Sequence, residues 1–294
     1  MDSIIFDVDG TLWDSTGIVA EAWSDYLIHT EHMDTDVSAK RLMGLFGQLL
    51  PDIAKALFPE LPEAEQLRII DGCCQAEHEA LLRKCAPLYP DLEETLKILS
   101  SRFPLFIVSN CQAGYIEVFL KSTGFGHYFK GHLCPGDTGM AKAENIMKIR
   151  EDNNLSDPVY IGDTIGDFNA CRKAGVPFIF AEYGFGQVDK PDYRITSLLT
   201  LRRYADEYEK IKIHRPYFRS DPENAFRACS SYHASSFLEL PIISQICLDR
   251  ASGLQGSCRC RCGRHVCVAF PGTSSPSENG RTGKHSTVLR PEGL

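Results

Sequence analysis

Short apolar runs alternate with stretches of helical spacing along much of the chain. Residues 3–9 (SIIFDVD) read as a strand that begins apolar and ends on two aspartates. Residues 16–30 have helical spacing, with Ile18, Ala22 and Tyr26 on one face and Ser15 or Thr16 as the N-cap. Further helical signals cover 37–58 and 63–84. Pro87 and Pro90 then punctuate the chain, and Asp91 is placed to cap a helix over 92–101. Strands are expected at 104–110, 158–163 and 176–181, with a shorter one at 131–134. Helices are expected between them: one closed by Gly124, one over 142–154 and one over 167–175 stopped by Gly175. This alternation predicts an α/β fold, a Rossmann-like parallel sheet with helices on both faces. Residues 16–85 contain only helices and read as an insertion after the first strand.

Composition narrows the class. A hydrophobic share of 43% and a charged share of 24% belong to an ordinary globular protein. The net charge of −8 disfavours nucleic acid and anionic membrane as partners. No apolar run approaches a membrane span. The opening MDSIIFDVDG lacks a basic leader and carries its own chemistry by Asp7, so a cytoplasmic location is expected. Of the 12 cysteines, Cys73, Cys74, Cys85, Cys111, Cys134 and Cys171 are scattered and read as reduced thiols. The other six lie between Cys229 and Cys267.

Charge also divides the chain. Residues 1–214 carry 21 basic and 33 acidic residues, whereas residues 215–294 carry 10 and 6. The expected organisation is an α/β core at 1–15 and 86–212, a helical cap at 16–85 and a disordered tail of no assigned role at 213–294. In the tail, Cys258, Cys260, Cys262, His265 and Cys267 are metal-ligand types. Their alternating spacing is not the paired spacing of structural zinc sites, so no zinc is assigned.

The candidate chemistry lies at strand ends, where open α/β sheets bind ligands. DVDGT (7–11), SN (109–110) and GDTIGD (162–167) bring Asp7, Asp9, Thr11, Ser109, Asn110, Asp163 and Asp167 to one crevice. Strand alternation is expected to point Asp7 and Asp9 to the same side. Clustered carboxylates repel one another, and a hard cation beside a phosphate, Mg²⁺, resolves the conflict. Asp14 reads as a turn or cap residue, Trp13 and Trp23 as cap packing, and GFG (184–186) as a flexible loop.

These motifs resemble the haloacid dehalogenase-like (HAD) superfamily of phosphohydrolases, in its phosphoglycolate phosphatase-like branch with a helical C1-type cap. FDVDGT matches the first motif, Ser109 in FIVSN the second and GDTIGD the fourth. Lys142 in GMAKAENIMKI fits the third better than Lys148. The resemblance covers about residues 1–200. It implies Asp7 as nucleophile and Asp9 as the acid and base that serves the leaving group and then water. It implies Mg²⁺ held by Asp7, the Asp9 main-chain carbonyl and Asp163. Lys142, Ser109, Thr11 and Asn110 would bind the phosphate, and Asp167 would orient Lys142 or support the metal shell. A carboxylate at Asp9 favours phosphoryl transfer, because a departing halide needs no proton.

The implied function is hydrolysis of a small phosphorylated metabolite such as phosphoglycolate. A sugar phosphomutase, a 5′-nucleotidase and a non-catalytic regulatory module on the same fold are the alternatives. Every motif lies before residue 212, so truncation there should preserve phosphatase activity and melting temperature. An inactive or insoluble truncate would place the tail within the fold.

Overall fold

The computed structural model describes residues 1–207, and the expected tail with its cysteine cluster lies outside the described residues. Four helices follow the first strand: α1 (Thr16–His29), α2 (Ala39–Met43), α3 (Leu50–Leu57) and α4 (Glu63–Arg83). Then come α5 (Leu92–Ser100), α6 (Tyr115–Thr123), α7 (Pro135–Thr138), α8 (Lys142–Asp152) and α9 (Ile165–Ala174). A last helix, α10, occupies residues 198–207.

The strands are β1 (Ser3–Phe6), β2 (Leu105–Val108), β3 (Phe129–Leu133), β4 (Pro158–Gly162), β5 (Phe178–Ala181) and β6 (Tyr193–Ile195). They form one sheet in the order β3-β2-β1-β4-β5-β6, with every neighbouring pair parallel. Every residue of β1, β2, β4 and β5 is buried. Successive strand residues point to opposite faces, so this burial requires cover on both. On one face Ile5, Phe106, Tyr160 and Phe178 pack against Ile146 of α8 and Cys171 of α9. Each fully buried large side chain contributes roughly 1.5–3 kcal/mol. The β6 strand and α10 have no counterpart in the expected elements, because a three-residue YRI run carries too little periodicity to read.

Three expectations change in detail. The strand expected over 3–9 ends at Phe6. Beyond it the chain turns, with the amides of Thr11 and Leu12 donating to Val8 O at 3.2 and 2.8 Å. Asp9 therefore owes its position to a turn and not to strand alternation. In α1 the deeply buried positions include Val19, Trp23 and Leu27, and Ala22 and Tyr26 are only half-buried. The inward stripe is rotated by one residue, which brings the large Trp23 ring inside. The helical signal over 37–58 resolves into α2 and α3, separated by a turn in which Gly47 has φ +88°.

The helical insertion leaves and rejoins the sheet at adjacent points. Asp14 N donates to Pro87 O at 2.9 Å and Tyr89 N to Leu12 O at 3.2 Å, so the two crossings are zipped together. On the opposite side of the site, α7 presses against the loop after β2. A Cβ placed on Gly136 would lie 2.0 Å from Ala113 N and 2.4 Å from the Gln112 carbonyl carbon. Main-chain atoms cannot swing aside, so Gly136→Ala should destabilise the protein by about 1–3 kcal/mol. The nearby Gly139, with φ +68° and open space around its Cβ direction, should cost only about 1–2 kcal/mol when changed to Ala. Urea denaturation checks both, and equal stability of Gly136→Ala and wild type would refute the close approach.

Candidate active site

The carboxyl ends of β1, β2 and β4 meet with the start of α8. Asp7 directly follows β1, Ser109 follows β2, Asp163 follows β4, and Lys142 is the first residue of α8. Asp167 sits in the first turn of α9. Its Oδ2 accepts from the amide and hydroxyl of Thr164 at 3.0 and 2.7 Å, a reciprocal cap that fixes the helix start.

Lys142 Nζ donates to Asp7 Oδ1 at 2.8 Å and to Asp167 Oδ1 at 2.5 Å. It is only 4% exposed. Asp7, Asp163 and Asp167 are buried and offer carboxylate oxygens within 4.8 Å of one another. Three carboxylates thus surround one ammonium. Burial pushes Asp7 up to about 7 against the pull of Lys142. Asp163 is held well above the ordinary range by burial and then by Asp167 and Asp7. Hard, anionic oxygens with surplus negative charge are a donor set that suits Mg²⁺.

Two glycines permit this crowding. Gly10 has φ +77°, and a Cβ there would lie 2.1 Å from Asp163 Oδ2. On the other side a Cβ on Gly184 would lie 2.3 Å from Asp163 Cβ, and Phe185 N donates to Asp163 Oδ2 at 2.7 Å. The GFG segment, read from sequence as a flexible loop, is the wall that orients Asp163.

Asp9 stands apart from this cluster. Its Oδ1 accepts from Trp13 Nε1 at 2.9 Å, Ser15 Oγ at 2.5 Å and the Tyr115 hydroxyl at 2.7 Å. Burial raises Asp9 to about 6 even against these three donors. A carboxyl near neutrality can both give and accept a proton.

Asp7, Asp9, Ser109 and Asn110 line one cleft. Trp23, Leu50, Ile53 and Glu77 of the inserted helices and Phe46 of the turn between α2 and α3 also line it. Asn110 Nδ2 donates to Gly47 O at 2.8 Å and so ties the sheet to the insertion. Thr11 is fully buried, with its hydroxyl 3.4 Å from Asp163 Oδ1. It backs Asp163 and is not among the residues lining the cleft. Lys148 is solvent-exposed and paired with Asp152 at 2.8 Å, which leaves Lys142 as the lysine of the site. Asp14 Oδ1 accepts from Thr16 N and Oγ1 at 3.1 and 2.5 Å, a turn at the start of α1. Trp13 packs edge-on against Phe119 at 4.9 Å and orients Asp9, whereas Trp23 reaches the cleft.

The residues missed from sequence are Ser15, Tyr115, Gln112 and Glu77. Tyr115 and Ser15 belong to helix starts, and Glu77 to the middle of α4. Only their contacts distinguish them from ordinary helix residues. A second acidic group, Glu117, His132 and Asp137, is partly exposed and lies outside the cleft. The six cysteines of the described residues are unpaired, as expected. No helix among the described residues is long and apolar enough to cross a membrane.

Comparison with known proteins gives the family. Residues 4–181 match the family of haloacid dehalogenase-like hydrolases. A phosphoglycolate phosphatase of Vibrio vulnificus is 27% identical over 67% of this chain and 93% of its own length. One from Pseudomonas fluorescens is 26% identical over 62% of this chain and 70% of its own. A haloacid dehalogenase-like hydrolase from Streptococcus pneumoniae shares the fold, with a TM-score of 0.61 at 24% identity over 69% of this chain and 98% of that one.

The surplus carboxylates give a pH signature. A carboxyl whose pKa is raised on folding keeps its proton when the unfolded chain has lost it. Stability therefore falls as pH climbs from about 4 through the raised value. For Asp7 this window ends near pH 7. Without divalent metal, wild type should lose stability between about pH 4 and pH 7 relative to Asp7→Asn, by at most about 1.4 kcal/mol per pH unit. Parallel urea curves in a chelator check it. A constant difference between the two proteins would show that Asp7 titrates normally.

Proposed function

The chain belongs to the haloacid dehalogenase-like hydrolase family, and from that premise we propose that it is a Mg²⁺-dependent phosphatase working through an aspartyl-phosphate on Asp7. Its substrate is a small phosphate monoester of phosphoglycolate's size, the class to which the names of its relatives point. The supporting observation is the division of labour between two carboxyls. Asp7 is tethered to Lys142 inside the charged cluster, and Asp9 is held apart on Trp13, Ser15 and Tyr115.

Lys142 engages Asp7 Oδ1, which leaves Oδ2 to attack phosphorus. As the new oxygen–phosphorus bond forms, the ester bond breaks and Asp9 gives its proton to the departing oxygen. Asp9, now ionised, takes a proton from water, and the resulting hydroxide attacks phosphorus. Phosphate leaves, and Asp7 is restored as a carboxylate. Ser109 and Lys142 bind phosphoryl oxygens, and Asp167 keeps Lys142 charged and in place. Asp7, Asp163 and the Asp9 main-chain carbonyl are the residues that would hold Mg²⁺, which when bound neutralises the transferring phosphoryl group. Residues 16–85 act as the cap. They line the cleft opposite Asp7 and rejoin the core at the paired crossings, where closure can exclude water.

Asp7→Asn should lower turnover of p-nitrophenyl phosphate by roughly 10³-fold or more with the fold intact. Asp163→Ala should raise the Mg²⁺ activation midpoint at least about tenfold. A chelator should abolish activity. A phosphate-release assay and circular dichroism check all three. Near wild-type hydrolysis by Asp7→Asn would refute the mechanism.

A further inference from the structure

The two ends of the cleft differ chemically. At the floor, Asp7, Asp9 and Ser109 surround the position of the phosphoryl group on the proposed reading. At the roof, Trp23, Phe46, Leu50 and Ile53 present apolar surface with one polar interruption, Glu77. Glu77 is only 3% exposed. Its Oε2 accepts from Trp23 Nε1 at 2.6 Å, and its Oε1 accepts from Gln112 Nε2. One carboxyl thus joins α1, α4 and the loop after β2 and lines the cleft.

No Arg, Lys or His is among the described residues that line the cleft. Lys142 adjoins it but is taken up by Asp7, Asp167 and, on the proposed reading, the phosphoryl oxygens. The nearest imidazole, His78, lies beyond Gln112 at 3.0 Å, and burial lowers its affinity for a proton. A carboxylate on the leaving group would therefore find no cation among these lining residues to pair it. A hydroxyl or ammonium group would instead find an acceptor with lone pairs to spare and apolar walls for its carbon chain.

From this arrangement we infer that Glu77 is a specificity-determining residue that selects non-anionic, hydrogen-bond-donating leaving groups, so that the substrates are phosphate monoesters of small polyols or amino alcohols and not of hydroxy acids. The inference rests on the phosphatase reading and divides its substrate class. It separates this chain from the substrate that its relatives are named for.

Steady-state kinetics on esters matched in size test it: phosphoglycolate, 2-hydroxyethyl phosphate and phosphoethanolamine, with p-nitrophenyl phosphate as the general reporter. The expected result is a kcat/KM at least tenfold higher for the hydroxyl or amino ester than for phosphoglycolate. In Glu77→Gln that ratio should fall to within about threefold, through a lower KM for phosphoglycolate at little-changed kcat. Binding of the same three esters to Asp7→Asn, measured by calorimetry, should follow the same order and needs neither turnover nor a folded Glu77 variant. Turnover of p-nitrophenyl phosphate with phosphoglycolate preferred among the three esters overturns the inference and leaves the phosphatase reading standing. So does an unchanged ratio in a folded Glu77→Gln. Failure to hydrolyse any of the four esters with Mg²⁺ overturns the phosphatase reading and this inference with it.

Discussion

One ammonium among three buried carboxylates is the constraint that organises this protein. Lys142 touches Asp7 and Asp167 directly, and Asp163 lies within the same cluster. Removing charges from water is costly unless they are paired, and one lysine cannot pair three acids. The imbalance must be met by protons or by a cation, and a phosphatase uses that demand to gather positive charge where a phosphoryl group arrives. The surrounding structure serves the cluster. Gly10 and Gly184 leave out side chains that would displace Asp163, and the Thr164 cap holds Asp167 toward Lys142.

The parallel sheet makes the convergence possible. In such a sheet the carboxyl ends of adjacent strands lie side by side, so residues far apart in the chain become neighbours there. β1 sits between β2 and β4, and the residues after these three strands supply Asp7, Ser109 and Asp163. The buried strands give the site a rigid floor. Its roof comes from helices attached through a narrow, paired crossing at residues 12–14 and 87–89. A floor built on the sheet fits chemistry that is alike across a family, and a roof built on the insertion fits substrate choice that differs between members.

The roof also explains how two carboxyls serve different ends. Asp9 and Glu77 both accept from a tryptophan indole and are both raised by burial, to about 6 and about 8. Asp9 is set on the floor beside Asp7, held by Trp13, Ser15 and Tyr115. Glu77 hangs from α4 with both oxygens engaged by Trp23 and Gln112. Its environment suits recognition, because a group locked by two donors is positioned before any ligand binds.

The sequence by itself determined the α/β class, the helical insertion and which polar residues gather at the strand ends. Apolar runs that end in DVDGT, SN and GDTIGD carry this information locally, because a strand's burial and its polar terminus are written in consecutive residues. Lys142 was legible for a weaker reason, its place at a helix start after a loop. Only the tertiary structure decided which face of α1 turns inward, that Asp9 is placed by a turn anchored on Val8 O, and that GFG holds Asp163. It alone brought Glu77 to the cleft and left that wall without a cation. The contacts behind the cleft wall join residues far apart in the chain, 54 positions for Trp23 and Glu77 and 106 for Asp9 and Tyr115. Periodicity reports which way a residue faces within its own element. What it meets there depends on how the elements pack.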